Sequence, residues 1–131
     1  MSLKLINPEE LPAPPAYSQV IVSTGRRMVF VAGQVAVDAD GNVVGPGEIA
    51  AQARQAFANV GRALAAAGAR PDDVTKITIY VVHHQPEYRP MISEARGALF
   101  GDHKPTSTLV GVEALALPDF LIEVEAIAVT D

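Results

Sequence analysis

The sequence contains no cysteine and no tryptophan, and only three tyrosines and four phenylalanines among its 131 residues. Without cysteine, disulfide bridges, thiol catalysis and thiolate metal sites are excluded. Because aromatic residues are scarce, the core must be built from Val, Ile, Leu and Ala, which suits a sheet packed against Ala-rich helix faces. The length fits one core, so we expect residues 1–131 to form a single domain.

Positive charge is also sparse. The formal net charge is −5, and no basic run is longer than Arg26–Arg27. Nucleic-acid binding usually needs clustered Lys and Arg to engage phosphates, so we expect no nucleic-acid partner. The first 19 residues lack a basic stretch followed by a long apolar one, and we predict neither a signal peptide nor a transmembrane helix. We therefore expect no membrane partner and a cytoplasmic location, with which the absence of cysteine is compatible.

What the sequence does contain is a series of strand-like and helix-like segments. We predict that a proline-rich arm precedes a β-hairpin, whose strands flank a turn at Thr24–Arg26. The clearest helix has apolar residues every three or four positions and ends at Gly68 in a left-handed conformation. A second helix has Pro90 in its first turn. The predicted strands are 20–22, 28–31, 74–82, 106–112 and 121–129, and the predicted helices are 48–67 and 86–99.

This order predicts an α+β fold with both helices on one face of the sheet. Such a sheet leaves its other face uncovered. Uncovered apolar sheet faces usually bind a partner, so we expect a homo-oligomer.

Four segments, in this order, resemble the RidA/YjgF family, which is also called the endoribonuclease L-PSP family. They are AYSQ at 16–19, MVFVAGQV at 28–35, LAAAGA at 64–69 and LIEVEAIAV at 121–129. The resemblance covers nearly the whole chain. It implies a chorismate-mutase-like fold and a homotrimer in which the three sheets form a central barrel. It also implies a small-molecule cleft at each subunit interface.

The activity that the resemblance implies is hydrolysis of a reactive imine or enamine, such as 2-aminoacrylate, to a keto acid and ammonia. This hydrolytic deamination needs no metal and no organic cofactor. By position in the family pattern, Glu123 is the expected catalytic carboxylate that activates water. The expected ligand-binding residues are Tyr17, Gly33, Ser107, Thr108 and Leu109.

One position departs from the family pattern. Ser107, in Pro105–Thr108, stands where the archetype has an arginine that binds the substrate carboxylate, and a serine cannot replace a guanidinium fork. Other cations that could serve are Arg26, Arg27, Arg89 and Arg96, for which the sequence supplies no position. Ala32 and Ile92 stand where polar residues are expected, which predicts a more apolar cleft.

Each candidate residue also has a purely structural interpretation. Glu123 could be a solvated residue on a polar sheet face, Tyr17 an anchor for the arm, and Gly33 a β-bulge. The Ser107 and Thr108 hydroxyls could be ordinary strand residues. The three histidines have no metal-site spacing, so we predict no metal site. Two other functions stay open: a trimer that binds a metabolite without turnover and, less favoured because of the acidic charge, an endoribonuclease.

Overall fold

The computed structural model describes residues 2–131. It confirms the α+β class and both predicted helices, the second of which is preceded by one 3₁₀ turn at Pro86–Tyr88. Gly68 has a φ of 73°, as predicted for the residue that ends the first helix. The strands are β1 (Ser2–Ile6), β2 (Val20–Thr24), β3 (Arg27–Gln34), β4 (Val74–Val82), β5 (Thr106–Val112) and β6 (Ile122–Thr130), and the helices are α1 (Ile49–Ala66) and α2 (Arg89–Phe100).

The main sheet has four strands in the order β3-β6-β4-β5. Strand β6 runs antiparallel to both of its neighbours, whereas β4 and β5 are parallel, so β5 forms one edge. Alternate residues of β4 and β6 are buried against the helices, because successive side chains of a strand point to opposite faces. The core between sheet and helices includes Phe57, Val60 and Leu64 of α1, Ile92 and Ala95 of α2, and Ile77, Ile79, Val124 and Ala126 of the sheet.

The predicted hairpin of 20–22 with 28–31 is wrong. Strand β2 pairs instead with β1, which lies before the proline-rich arm where no strand is predicted, and β3 pairs with β6. The prolines that suggest an arm begin only at Pro8, so residues 2–6 keep every backbone donor that a ladder needs. The chain turns near Gly25 from one sheet to the other, and a Cβ atom there would press on the backbone oxygen of Thr130.

A buried glutamine holds the loop that precedes β6 through hydrogen bonds. Gln52 of α1 is fully buried and donates from Nε2 to the carbonyl oxygens of Asp119, at 2.8 Å, and Gly45, at 3.2 Å. Its Oε1 accepts a hydrogen bond of 2.9 Å from the backbone N–H of Leu121. One side chain therefore ties the loop before α1 to the loop that leads into β6.

Candidate functional site

The face of the main sheet opposite the helices, which we call the open face, combines apolar and ionisable side chains. Met28 and Phe30 of β3 are 61% and 68% exposed, which is unusual for large apolar residues. Glu123 and Glu125 of β6 lie on the same face, since the residues between and beside them are buried against the helices. The Tyr80 hydroxyl donates a hydrogen bond of 2.6 Å to Oε1 of Glu125. That bond is the main cause that raises the pKa of Tyr80, with contributions from burial and from the charges of Glu125 and Glu123.

Gly33 lies at a β-bulge next to Glu123. Val31 pairs with Ala126 and Gln34 with Val124, so β3 uses one more residue than β6 over this stretch. A Cβ atom at position 33 would overlap the carboxylate and the Cγ atom of Glu123. Only glycine at this position therefore allows the Glu123 side chain its observed position. The structural interpretation of Gly33 as a bulge is confirmed, and the bulge also brings the backbone against the predicted catalytic residue.

A cavity of about 580 Å³, which we call the edge cleft, lies on the helix side of the sheet at strand β5. Ser107 and Leu109 form its floor. They share the helix-facing side of the sheet because they pair with Ile77 and Ile79, which belong to the core. The remaining walls are the arm at 15–17 and, from the second helical segment, Pro86, Arg89, Pro90, Ser93 and Arg96.

The arm is fastened to the start of β5, which explains how Tyr17 reaches the cleft. The Ser18 hydroxyl is buried and donates a hydrogen bond of 2.6 Å to the carbonyl oxygen of Lys104, and the Ser18 N–H donates to that of Pro105 at 3.3 Å. Ser18 also forms an isolated parallel bridge with Thr106. Tyr17 therefore both ends the arm and lines the edge cleft, so its anchoring and site interpretations are compatible.

Arg96 is the more buried of the two arginines that line the edge cleft. Its Nε is buried and has no hydrogen-bond partner, and its only hydrogen bond to residues 2–131 is a long one of 3.5 Å from Nη1 to the Ala16 carbonyl oxygen. Burial lowers the pKa of the Arg96 guanidinium; Tyr17 opposes this effect and Arg89 adds to it. Arginine stays protonated despite such a shift, so the cleft holds a positive charge.

The predicted site residues thus fall into two groups. Glu123 and Gly33 lie together on the open face, whereas Tyr17, Ser107 and Leu109 line the edge cleft on the other side of the sheet. Thr108 points away from the core and lines a smaller cavity of about 440 Å³ at the same edge, which Tyr17 and Ser107 also line. Within one chain, the structure does not bring the two groups together.

Of the four cations considered for the missing charge, Arg89 and Arg96 line the edge cleft, together with Ser93, which was not predicted. Their spacings of four and three place these three residues on one side of a helix, a pattern in the sequence that could have grouped them. Ile92, expected to make the cleft more apolar, is 1% exposed and lies in the core rather than along the cleft.

Neither a cluster of metal ligands nor a helix suited to crossing a membrane occurs in residues 2–131. That range contains no group of three or more His, Asp or Glu side chains placed to hold a metal ion. None of its helices has the length and apolarity that crossing a membrane requires.

Comparison with known proteins supplies the family. A family described as endoribonuclease L-PSP matches residues 8–130. A RutC family protein of Pyrococcus abyssi is 37% identical over 130 residues, which cover 98% of each chain. A 2-iminobutanoate/2-iminopropanoate deaminase of Escherichia coli is 36% identical over 104 residues, which cover 78% of this chain and 79% of the enzyme. The crystal structure of the Rid family protein YyfB from Yersinia pestis superposes with a TM-score of 0.92 at 38% identity, covering 98% of this chain and 99% of that one. The chain therefore belongs to the endoribonuclease L-PSP family, the group that includes the RidA and RutC proteins.

Proposed function

We propose that this protein is a cofactor-free deaminase that hydrolyses a small imine or enamine. The observation that carries the proposal is the Glu123 carboxylate, which lies against the glycine bulge on the open face. The deaminases among its relatives support this reaction class. The proposal includes one domain over residues 1–131 and a cytoplasmic location.

The chemistry requires one proton acceptor and one water molecule. The Glu123 carboxylate takes a proton from water while the water oxygen forms a bond to the imine carbon. The C=N electron pair moves to nitrogen, which receives that proton from the Glu123 carboxyl group and so restores the carboxylate. The resulting carbinolamine then loses ammonia: its hydroxyl proton returns through the carboxylate to the departing nitrogen, and a C=O bond forms. The balance is imine plus water to keto acid plus ammonia, with no change in oxidation state. An enamine enters the same route after tautomerising to the imine.

The proposed site is assembled from two subunits of a homotrimer. The exposed Met28 and Phe30 make the open face an apolar surface of the kind that oligomers bury. If the open face packs against a neighbour, Glu123 and Gly33 of one subunit can approach the edge cleft of the next. Such an arrangement would unite the two groups of residues that are separate within one chain.

A second candidate function is a trimer that binds a metabolite without converting it. Ser107 favours this alternative, because it supplies no charge where the family archetype has an arginine. The endoribonuclease function that the family description suggests is disfavoured by the net charge of −5 and the lack of a long basic run.

Imine hydrolysis tests the proposal. 2-Aminoacrylate and larger 2-imino acids would be generated in situ, and their loss and the release of ammonia followed with wild type, Glu123→Gln and the control Glu48→Gln. Glu48 is an exposed carboxylate at the start of α1, far along the chain from the site. We expect wild type and Glu48→Gln to hydrolyse at least one imine and Glu123→Gln to be slower by about 10²- to 10⁴-fold, the usual contribution of a general base.

Two outcomes contradict the proposal. If wild type is inert on every imine but binds the corresponding keto acid, the non-catalytic alternative is correct. If Glu123→Gln hydrolyses as fast as Glu48→Gln, another group activates the water. Incubation of nuclease-free protein with RNA tests the third function, and we expect the RNA to remain full length.

A further inference from the structure

We propose that Arg96 on helix α2 binds the carboxylate of this protein's ligand, assisted by the positive charge of Arg89. The carboxylate-binding arginine of the family archetype would thus be replaced by one from a different element of the fold. The identity of the ligand as an imino acid rests on the proposed function, but the binding of a carboxylate by Arg96 does not.

The position of Arg96 is the first argument. Ser107 and Arg96 line the same cleft, one from strand β5 and one from helix α2 that passes beside it. The guanidinium at position 96 therefore supplies charge to the cavity in which the serine leaves it missing. Arg89 and Ser93 lie about two turns and one turn before Arg96 on the same side of α2, and both also line the cleft.

The charge distribution is the second argument. The whole chain has a net charge of −5, yet the described residues that line the edge cleft include two arginines and no carboxylate. A partly buried cation without a carboxylate partner is unusual, because burial removes hydration that only a counter-charge or hydrogen bonds can replace. Since Nε is enclosed by protein, the Nη atoms of Arg96 are the donors left for an anion. An anionic ligand supplies the compensation that the fold itself does not.

The rest of the cleft indicates which anion fits. Pro15, Pro86 and Pro90 form apolar walls above the Leu109 side chain on the floor, while Ser93, Ser107 and Tyr17 offer hydroxyl groups. Two arginines without a lysine or a glycine-rich loop suit one planar carboxylate better than a polyphosphate. The ligand class is therefore a small monocarboxylate with a short apolar chain and one polar group near the carboxylate, as in a 2-oxo or 2-imino acid.

Binding of a stable probe tests this inference without any turnover. The probe is 2-oxobutanoate, and its neutral counterpart is 2-oxobutanamide, which has nearly the same shape but no charge. Affinity would be measured by NMR titration at constant ionic strength, with inorganic phosphate as a competitor. We expect the acid to bind, the amide to bind at least about tenfold more weakly, and phosphate to compete poorly, as charge-assisted bidentate pairing predicts.

Three variants locate the charge that matters. We expect Arg96→Gln to weaken acid binding by about tenfold to hundredfold and to remove the preference for acid over amide. The control Arg54→Gln removes an exposed arginine of α1 and should bind as wild type does. The double variant Ser107→Arg/Arg96→Gln returns a guanidinium to the cleft from the strand side and should recover the preference for the acid.

Clear results would overturn the inference. It is wrong if Arg96→Gln keeps wild-type affinity, if wild type binds acid and amide equally, or if wild type binds neither. Should Arg96→Gln fail to fold, shift mapping on wild type decides: probe-induced shifts at Ser93, Arg96 and Ser107 support the assignment, and shifts confined to other regions refute it. A protein that binds the acid through Arg96 but hydrolyses no imine would retain this inference while the proposed deaminase activity fails.

Discussion

Replacing Gln52 with methionine should destabilise the protein by an amount that its contacts define. The two side chains have similar volumes, so Gln52→Met keeps the core filled and removes only hydrogen bonds. Three are lost: the donations to Asp119 and Gly45, and the bond accepted from the Leu121 N–H. The variant therefore measures how much the hydrogen bonds between α1 and the loop before β6 contribute to stability.

The magnitude follows from the number of bonds. An intramolecular hydrogen bond contributes about 1 kcal/mol net, so three bonds contribute about 3 kcal/mol, and the loss grows where a backbone group is left buried and unpaired. We expect the free energy of unfolding to fall by about 2 to 4 kcal/mol. Leu121 precedes Glu123 by two residues, so its amide should also exchange hydrogen faster in the variant.

Urea denaturation followed by circular dichroism measures the effect. All variants must be compared at one protein concentration, since subunit association adds to apparent stability. The control Arg54→Met changes an exposed residue of the same helix and should stay within about 0.5 kcal/mol of wild type. A loss below about 1 kcal/mol in Gln52→Met would refute the reasoning, because the three bonds would then contribute no more than one does.

Three further predictions concern the open face. Phe30→Glu puts a charge into the exposed apolar surface and should convert an oligomer to monomers in light scattering without changing the circular dichroism spectrum. Gly33→Ala should displace the Glu123 carboxylate and slow imine hydrolysis, while the flexible side chain yields and thermal stability changes little. Tyr80 should ionise above its ordinary pKa of 10.0 in an absorbance titration, and Glu125→Gln should bring that pKa down. Because the folded state favours the neutral phenol, this contribution to stability is present below pH 10.0 and is lost as pH rises through the folded pKa.

Each of these has a control or a contradicting result. Gly97→Ala adds a methyl group that meets no other part of the structure within 4 Å beyond its own helix and should leave hydrolysis unchanged. An unchanged oligomer in Phe30→Glu would mean that the open face is not the interface. Unaltered titration of Tyr80 in Glu125→Gln would mean that their hydrogen bond does not persist in solution.

Local sequence patterns were sufficient for most elements. The run VTKITIYVV is rich in β-branched residues and forms β4 with the predicted bounds, because such residues suit a pleated surface. Helix α1 follows from apolar residues every three or four positions and from Gly68 at its end. The segments that resemble the family identified it, and the comparisons confirm that identification.

Strand pairing and the composition of the cavities depended on tertiary structure. The residues of β2 (20–24) do not by themselves indicate whether β1 or β3 is their partner. Strand β3 pairs with β6 in the main sheet, and β2 pairs with β1 in a separate one, so the pairing depends on contacts between distant segments. Likewise, the sequence marked Ser107 as a missing charge but could not show that Arg96 lies across the same cleft, since that proximity arises only when α2 packs beside β5. Patterns within a few residues encode which elements form; contacts between distant residues decide which of their side chains share a site.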